Sequence, residues 1–225
     1  MNVIVFASRK GGSGKSTLTA HLAAHAHKPS RPCLLIDADP QGSLTLWNEL
    51  RGENALPLKS GTRGVESIVK AARREYDWVF VDTPPNMSNI VSEAIRAATL
   101  VVIPARPTVF DLGAVKETIA MCRQLRRPYA VVINGAPAKR NDAESPIVVD
   151  ARAGLTELKV PLWSGQITNR MNYALAVAAG EGAKEFASES HAATEVGALW
   201  AGIERSVKAI QGTYEGSRVM HRTAA

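Results

Sequence analysis

The stretch that decides the fold is Arg9-Lys-Gly-Gly-Ser-Gly-Lys-Ser-Thr17. Six apolar or small residues, Val3–Ser8, lead into it, and a helix-like stretch follows from Leu18. A strand, a glycine turn and a helix in that order can cradle a phosphate. Glycines let backbone N–H groups point inward, and the helix N-terminus adds partial positive charge. The sequence therefore predicts a phosphate-binding loop, or P-loop.

Each residue type in this loop has an expected part in binding ATP and Mg²⁺. Lys15 can reach the β- and γ-phosphates, and the Ser16 hydroxyl can bind the metal ion. The alternative is a glycine turn without a ligand, which the flanking strand and helix disfavour. The residues predicted to bind the nucleotide are Gly11, Gly12, Ser13, Gly14, Lys15, Ser16 and Thr17.

Apolar runs alternate with helical patterns along the whole chain. The runs are continuous and β-branched, as in a parallel sheet covered by helices on both faces, so the pattern predicts a doubly wound α/β domain. Strands are expected at 3–7, 32–39, 77–82, 100–104, 129–134 and 160–163, and helices at 15–27, 64–75, 88–98, 112–125, 146–158 and 196–210. We expect one domain over residues 1–211 and a flexible polar tail over 212–225.

Composition narrows the possible functions only slightly. No apolar run approaches the length of a membrane span, and the two distant cysteines, Cys33 and Cys122, indicate a reducing cytoplasm. The net charge of +6 favours polyanions such as nucleic acid, anionic lipid or nucleotide. A merely well-solvated surface would give the same charge balance.

Two acidic motifs follow predicted strands. One is Asp37-Ala-Asp-Pro-Gln-Gly-Ser43, and the other is Asp82-Thr-Pro-Pro85. An aspartate after a buried strand can hold Mg²⁺ directly or through water, although it can also be a turn or helix-cap residue. Ligands in such sheets lie at the carboxyl ends of the strands. We therefore expect both motifs to meet the P-loop around one nucleotide.

The loop also departs from the usual P-loop, since Arg9 stands where a glycine is expected and Lys10 follows it. With the two acidic motifs, this resembles the deviant Walker A ATPases of the ParA/MinD superfamily, strongly over residues 2–135. The resemblance implies that Lys10 crosses a dimer interface to the phosphates of the other subunit. It also implies that Asp39 positions the attacking water. The catalytic residues would be Lys10, Lys15 and Asp39.

The same resemblance gives parts to several other residues. Asp37 would lie near the Mg²⁺ shell and Asp82 would be the Walker B residue, so the metal-site candidates are Ser16, Asp37 and Asp82. Asn134 matches a position where relatives contact adenine, although it can equally be a turn asparagine before Gly135. The segment Pro104–Asp111 is either a capped strand–helix junction or a nucleotide contact.

A ParA-like ATPase is expected to dimerise on ATP, bind DNA non-specifically and move a cargo, with a ParB-like or other adaptor stimulating hydrolysis. Candidate DNA-binding residues are Arg170, Arg205 and Lys208, each of which can also be an ordinary solvated charge. Residues 212–225 show no apolar face, which disfavours membrane binding and favours a cytoplasmic, nucleoid-associated protein. The alternatives are a MinD-like or cellulose-associated localisation ATPase without DNA binding, and an ATP-dependent synthetase of the dethiobiotin or cobyrinate type.

Overall fold

The computed structural model describes residues 1–86 and 88–223, with side chains for all of these except residues 109, 110, 112 and 214–223. Within these residues, six strands form one sheet in the order β3-β2-β4-β1-β5-β6. The strands are β1 (Asn2–Phe6), β2 (Cys33–Asp37), β3 (Leu58–Ser60), β4 (Trp78–Asp82), β5 (Leu100–Ala105) and β6 (Tyr129–Ile133).

Every pairing in the sheet is parallel, as the apolar runs predicted. β1 lies between β4 and β5. From β1 the chain crosses to β2, which lies beyond β4 on one side of β1. From β4 it crosses to β5, which lies on the other side of β1. Such a reversal of strand order opens a crevice at the carboxyl ends of the strands. The glycine loop after β1 lies at this crevice.

The helices cover both faces of the sheet. One layer packs on one core and contains α3 (Glu66–Ala72), α4 (Asn89–Ala97), α5 (Val109–Gln124) and α6 (Pro146–Glu157). The other layer packs on a second core and contains α1 (Lys15–Ala26), α2 (Ser43–Leu50), α7 (Met171–Ala178), α8 (Ala183–Phe186) and α9 (His191–Thr223). This is the doubly wound arrangement expected from the sequence.

The pattern at residues 196–210 is a core-packing helix, as predicted. Val196, Leu199, Ile203 and Val207 are buried, and Trp200 meets Trp78 of β4 edge-on, with ring centroids 4.6 Å apart. Each large buried side chain contributes on the order of 1.5–3 kcal/mol. These buried side chains, together with the Trp200–Trp78 contact, hold the last helix on the sheet.

α9 continues to Thr223, so the structure shows helix where a polar tail was expected from residue 212. The flexibility of residues 212–225 stays a prediction. In the part of the chain that the structure describes, no helix has the length and apolar character needed to cross a bilayer.

Some elements differ from the sequence-based expectation. α2, β3, α7 and α8 were not predicted. The short strand expected at residues 160–163 is reduced to an isolated bridge between Val131 and Leu162. The helix expected at 146–158 is present, with Pro146 in its first turn as predicted.

Candidate functional site

The glycine loop between β1 and α1 has the backbone shape of a phosphate cradle. Gly12 and Gly14 have φ angles of 69° and 96°, in the left-handed region that favours glycine. Gly14 is the N-cap of α1, and its carbonyl accepts a hydrogen bond from Leu18 N at 2.9 Å. No side chain caps α1, so the N–H groups of its first turn face the loop without a side-chain acceptor.

Asn134, at the end of β6, holds this loop in place. Its Nδ2 donates to the Ser13 carbonyl at 2.7 Å. A Cβ atom on Gly14 would lie 2.1 Å from that same nitrogen, so a glycine is needed there for space as well as for its dihedral angles. The structure thus brings Asn134 to the loop, while its contact with adenine stays a prediction.

Lys15 is buried at the base of the loop. Its ammonium donates to the Lys10 carbonyl at 3.5 Å. Burial lowers the pKa of Lys15, while the nearby carboxylates of Asp82 and Asp39 raise it. A buried cation beside two carboxylates is suited to meet a phosphate and a metal ion together.

Asp82 and Asp37 are register partners on β4 and β2, so their side chains leave neighbouring strands at the same level. Asp82 is fully buried, and neither of its carboxylate oxygens has a hydrogen-bond partner among the described residues. Burial raises the pKa of Asp82 to about 7, and Asp37 adds to this, while Ser16 and Lys15 oppose it. A buried carboxylate without a partner is costly unless a ligand or cation completes it.

Asp37 is differently placed from Asp82. Its Oδ2 accepts hydrogen bonds from the Thr45 backbone N at 2.8 Å and from the Thr45 hydroxyl at 2.7 Å. Its Oδ1 accepts from Asp39 N at 3.2 Å. Asp37 therefore stabilises the first turn of α2, and its place near the metal stays a prediction.

Asp39 lies on the loop between β2 and α2, half-buried at the mouth of the site. Its Oδ1 accepts a hydrogen bond from Gln41 N at 3.0 Å, which orients the carboxylate. Asp39 and Gln41 line the same groove as Gly12 and Lys15, so the acidic loop faces the glycine loop. That the two loops meet around one nucleotide stays a prediction.

The glycine loop, Lys15, Asp39 and Asn134 line one groove of about 1140 Å³, whereas Asp37 and Asp82 are buried and are not among its lining residues. One end is formed by the glycine loop and the strand ends, including Lys15, Asp39 and Asn134. The other end is apolar and is formed by α2 and α7, through Leu46, Trp47, Leu50, Ala174, Val177 and Ala178. The polar end has the chemistry of a phosphate site.

Arg9, which stands where a glycine is usual, forms an ion pair with Glu117 of α5. Both side chains are about half exposed. Lys10 lies exposed beside Arg9. The ion pair anchors the start of the glycine loop to its own subunit.

Arg106 is a site residue that sequence reasoning did not single out. Its guanidinium lies over the loop, with Nη2 3.3 Å from the position of a Cβ on Gly12. The signal in the sequence was Pro104–Asp111, in which Thr108 is the N-cap of α5 and accepts a hydrogen bond from Asp111 N at 3.3 Å. The capped junction therefore exists, and it also places an arginine at the site.

The three candidate DNA-binding residues lie in different settings. Arg205 and Lys208 are exposed and three residues apart on α9, so they share a face of that helix. Arg170 instead lines the groove and pairs with Glu195 at 3.0 Å. Glu195 also accepts hydrogen bonds from Tyr173 OH at 2.9 Å and from Thr168 N at 3.0 Å. The structure therefore groups two of the three candidates on one helix.

A profile of the family described as the CobQ/CobB/MinD/ParA nucleotide binding domain matches residues 4–214. The chain belongs to this family. The match covers the glycine loop, both acidic motifs and most of α9, so it agrees with the groove as the family's nucleotide site.

Three curated relatives share part of their length with the chain. It is 37% identical over 120 residues to maintenance of carboxysome distribution protein A of Gloeobacter kilaueensis, covering 52% of this chain and 55% of that protein. It is 40% identical over 116 residues to protein ParA of Rhizobium radiobacter, covering 49% and 51%. It is 30% identical over 154 residues to the chromosome-partitioning ATPase Soj of Thermus thermophilus, covering 55% and 62%. The matched region thus spans about half to three-fifths of each relative.

Solved structures of the family show the same fold. An McdA–ATP complex from Cyanothece superimposes with a TM-score of 0.73 at 18% identity, covering 94% of this chain and 96% of that one. The septum site-determining protein MinD with Mg-ADP from Pyrococcus horikoshii gives a TM-score of 0.73 at 17% identity, covering 93% and 98%. The P-loop α/β fold is therefore that of McdA and MinD.

Proposed function

We propose that this protein is a Mg²⁺-dependent ATPase of the ParA type that dimerises on ATP, binds DNA non-specifically and partitions or positions a cargo. The observation that carries the proposal is the buried, unpartnered carboxylate of Asp82 beside the buried ammonium of Lys15, next to a glycine loop. The names of the relatives, which are partitioning and distribution proteins, support the cargo-positioning part.

The loop and Lys15 would bind the phosphates of ATP. The left-handed glycines aim backbone N–H groups at the β-phosphate, and the N-terminus of α1 favours its negative charge. Lys15 reaches the β- and γ-phosphates from below the loop. Binding a phosphate offsets the cost of burying the Lys15 ammonium.

The residues present fit Mg²⁺, because hydroxyl and carboxylate oxygens are its preferred ligands and Asp82 has two oxygens without partners. Ser16 and Asp82 would hold the ion, with Asp37 close by on the neighbouring strand. When bound, Mg²⁺ neutralises charge on the β- and γ-phosphates. It would also hold Asp82 ionised near neutral pH, against the burial that raises its pKa.

Hydrolysis would depend on placing a water in line with the γ-phosphate more than on a strong base. Asp39 is suited to this, since it lies at the mouth of the groove and its carboxylate is oriented by Gln41 N. Lys10, exposed at the start of the loop, would supply the last positive charge to the nucleotide of the other subunit. Hydrolysis would then require the dimer, so the monomer would be a poor ATPase.

The ATP dimer would bind DNA through its basic residues, including the pair Arg205 and Lys208 on α9. Contacts of this kind neutralise phosphates without reading bases. A ParB-like or other cargo adaptor would stimulate hydrolysis and release the dimer. The protein would then be cytoplasmic and associated with the nucleoid.

Nucleotide binding is tested with Lys15→Ala and a matched control, Lys28→Ala. Lys15 begins α1, whereas Lys28 lies in the loop that follows the C-terminal end of that helix. We expect wild type and Lys28→Ala to bind a fluorescent ATP analogue with Mg²⁺, and Lys15→Ala to lose most of that binding. Equal binding by all three proteins would refute the assignment of the site.

DNA binding is tested by co-sedimentation with nonspecific duplex DNA, using ATP and ADP in parallel. We expect retention with ATP that falls steeply as salt rises, and little retention with ADP. Reversing both charges on α9, with Arg205→Glu and Lys208→Glu, should reduce retention. Retention with neither nucleotide would refute the DNA-binding part.

The groove gives a specific reason to retain the synthetase as a second candidate. Its apolar end, between α2 and α7, has the kind of lining that binds a small organic substrate, and it adjoins the phosphate end of the same groove. The description of the family also includes CobQ and CobB. A synthetase would turn over ATP only with its small substrate and would show no ATP-dependent DNA retention.

A further inference from the structure

The Arg106 side chain lies over the glycine loop of its own chain. It directly follows β5, and its Cγ lies 3.7 Å from the position of a Cβ on Gly135. Its guanidinium continues to Gly12, where Nη2 and Cζ lie 3.3 and 3.9 Å from the position of a Cβ. The approach is tight only at Gly12, while the distance at Gly135 is an ordinary contact. The arginine therefore extends from the β6 edge to the loop.

The Arg106 guanidinium has no hydrogen bond or ion pair with any side chain that the structure describes. Its backbone is bonded through both polar groups: Arg106 N donates to Asp111 Oδ1 at 3.4 Å, and the Arg106 carbonyl accepts from Thr108 N at 2.7 Å. The other oxygen of Asp111 accepts the Thr108 hydroxyl at 2.8 Å, so this carboxylate is already engaged by the α5 cap. The loop geometry therefore holds Arg106 in place while its charged end stays available at the groove.

We propose that Arg106 contacts the β-phosphate of the bound nucleotide in cis, as a second cation beside Lys15. This inference rests on the proposed nucleotide site. A guanidinium presents planar N–H donors that match phosphate oxygens, and Gly12 belongs to the part of the loop that cradles them. Because the contact comes from the same subunit, it stabilises ADP and ATP in the monomer, independently of Lys10 and of dimerisation.

The test compares Arg106→Ala, Arg106→Lys and a matched control, Arg74→Ala. Arg74 is exposed and lies between α3 and β4, at the amino ends of the strands and so away from the crevice at their carboxyl ends. Each protein is titrated with AMP, ADP and ATP in the presence of Mg²⁺, by displacement of a fluorescent ADP analogue. Circular dichroism and thermal unfolding establish that the variants are folded.

We expect Arg106→Ala to raise the Kd for ADP and ATP by about tenfold, the size of one lost charge-assisted contact. The Kd for AMP should change by less. Arg106→Lys should recover part of the loss, because it keeps the charge but not the planar geometry. Arg74→Ala should bind as wild type does.

Unchanged ADP binding by a folded Arg106→Ala variant would refute the cis contact, while leaving the proposed function standing if wild type binds normally. An equal loss for AMP, ADP and ATP would also overturn it, since the arginine would then act on the base, the sugar or the α-phosphate and not on the β-phosphate that ADP and ATP share. Absence of nucleotide binding by wild type would instead refute the proposed function itself.

Discussion

Replacing Gly14 with alanine tests whether the loop has the shape that binds phosphate. The φ angle of 96° at this position is one that L residues rarely adopt, which costs an alanine about 1–2 kcal/mol. The new Cβ would also lie 2.1 Å from Asn134 Nδ2, so the Asn134 side chain must move. Its hydrogen bond to the Ser13 carbonyl would be lost, at about 1 kcal/mol. The total destabilisation is about 2–3 kcal/mol.

A double-mutant cycle separates the two costs. Asn134→Ala alone removes the hydrogen bond and costs about 1 kcal/mol. In the double variant that bond is already absent and the clash is relieved, so only the backbone strain of Gly14→Ala is added. The double variant should therefore be destabilised by about 1 kcal/mol less than the sum of the two single variants.

The measurements are urea unfolding followed by circular dichroism, and binding of a fluorescent ATP analogue. Gly14→Ala should lose nucleotide affinity, and Asn134→Ala should not restore it, because the backbone of the loop stays strained. Gly154→Ala is the control: it lies inside α6 with open space around its Cβ, so alanine should be neutral or stabilising by up to about 1 kcal/mol. Additive destabilisation in the cycle would contradict the contact, and wild-type ATP affinity in Gly14→Ala would contradict the cradle.

Three further changes test the mechanism and the fold. Lys10→Ala should still bind nucleotide but fail to dimerise or hydrolyse ATP; normal turnover would show that its cross-subunit part is wrong. Asp39→Ala should form a persistent ATP dimer with little turnover, visible by size-exclusion chromatography and phosphate release, and full turnover would contradict its part with water. His21→Asn should make the free energy of unfolding less sensitive to acid. Burial lowers the pKa of His21 to about 4, so between about pH 6.5 and pH 4 the unfolded chain binds a proton that the folded chain does not. Wild type therefore loses about 3 kcal/mol of stability as the pH falls through this range. Asparagine keeps an acceptor for the Ala183 N–H that His21 Nδ1 now binds at 3.1 Å, and urea unfolding at several pH values should show a flatter profile for the variant.

The sheet could be predicted because its signals are local. All strands except β3 are continuous apolar runs, and the loop after β1 carries its own glycines. β3 has the sequence Leu-Lys-Ser and carries no such signal, so it was missed. α2 was missed because its start is fixed from elsewhere in the chain: Asp37, eight residues upstream of Thr45, holds the first turn. α7 is short and no side chain caps it, so it lacks the usual start signals. α8 has only four residues, although Glu185 in its first turn accepts a hydrogen bond from Gly182 N.

In the candidate site too, local sequence patterns could be predicted and contacts between distant residues could not. Residues of the glycine loop and the two acidic motifs could be predicted as site candidates because their spacing along the chain is diagnostic. The contact of Asn134 with Ser13 spans 121 positions and exists only because the ends of β1 and β6 open onto the same crevice. The sequence also does not show which basic side chains form ion pairs within the fold, as Arg170 does with Glu195.

The structure gives a physical reason for Arg9 at the position where an ordinary P-loop has a glycine. A glycine at position 9 would leave the start of the loop without a side-chain anchor. Arg9 instead joins it to α5 through Glu117, and the Lys10 carbonyl accepts the ammonium of Lys15. The backbone on either side of Lys10 is thus tied to its own subunit while the Lys10 side chain lies exposed. This combination would suit the proposed action of Lys10 on a second subunit, because a fixed backbone lowers the entropy cost of presenting a long, flexible side chain to a partner.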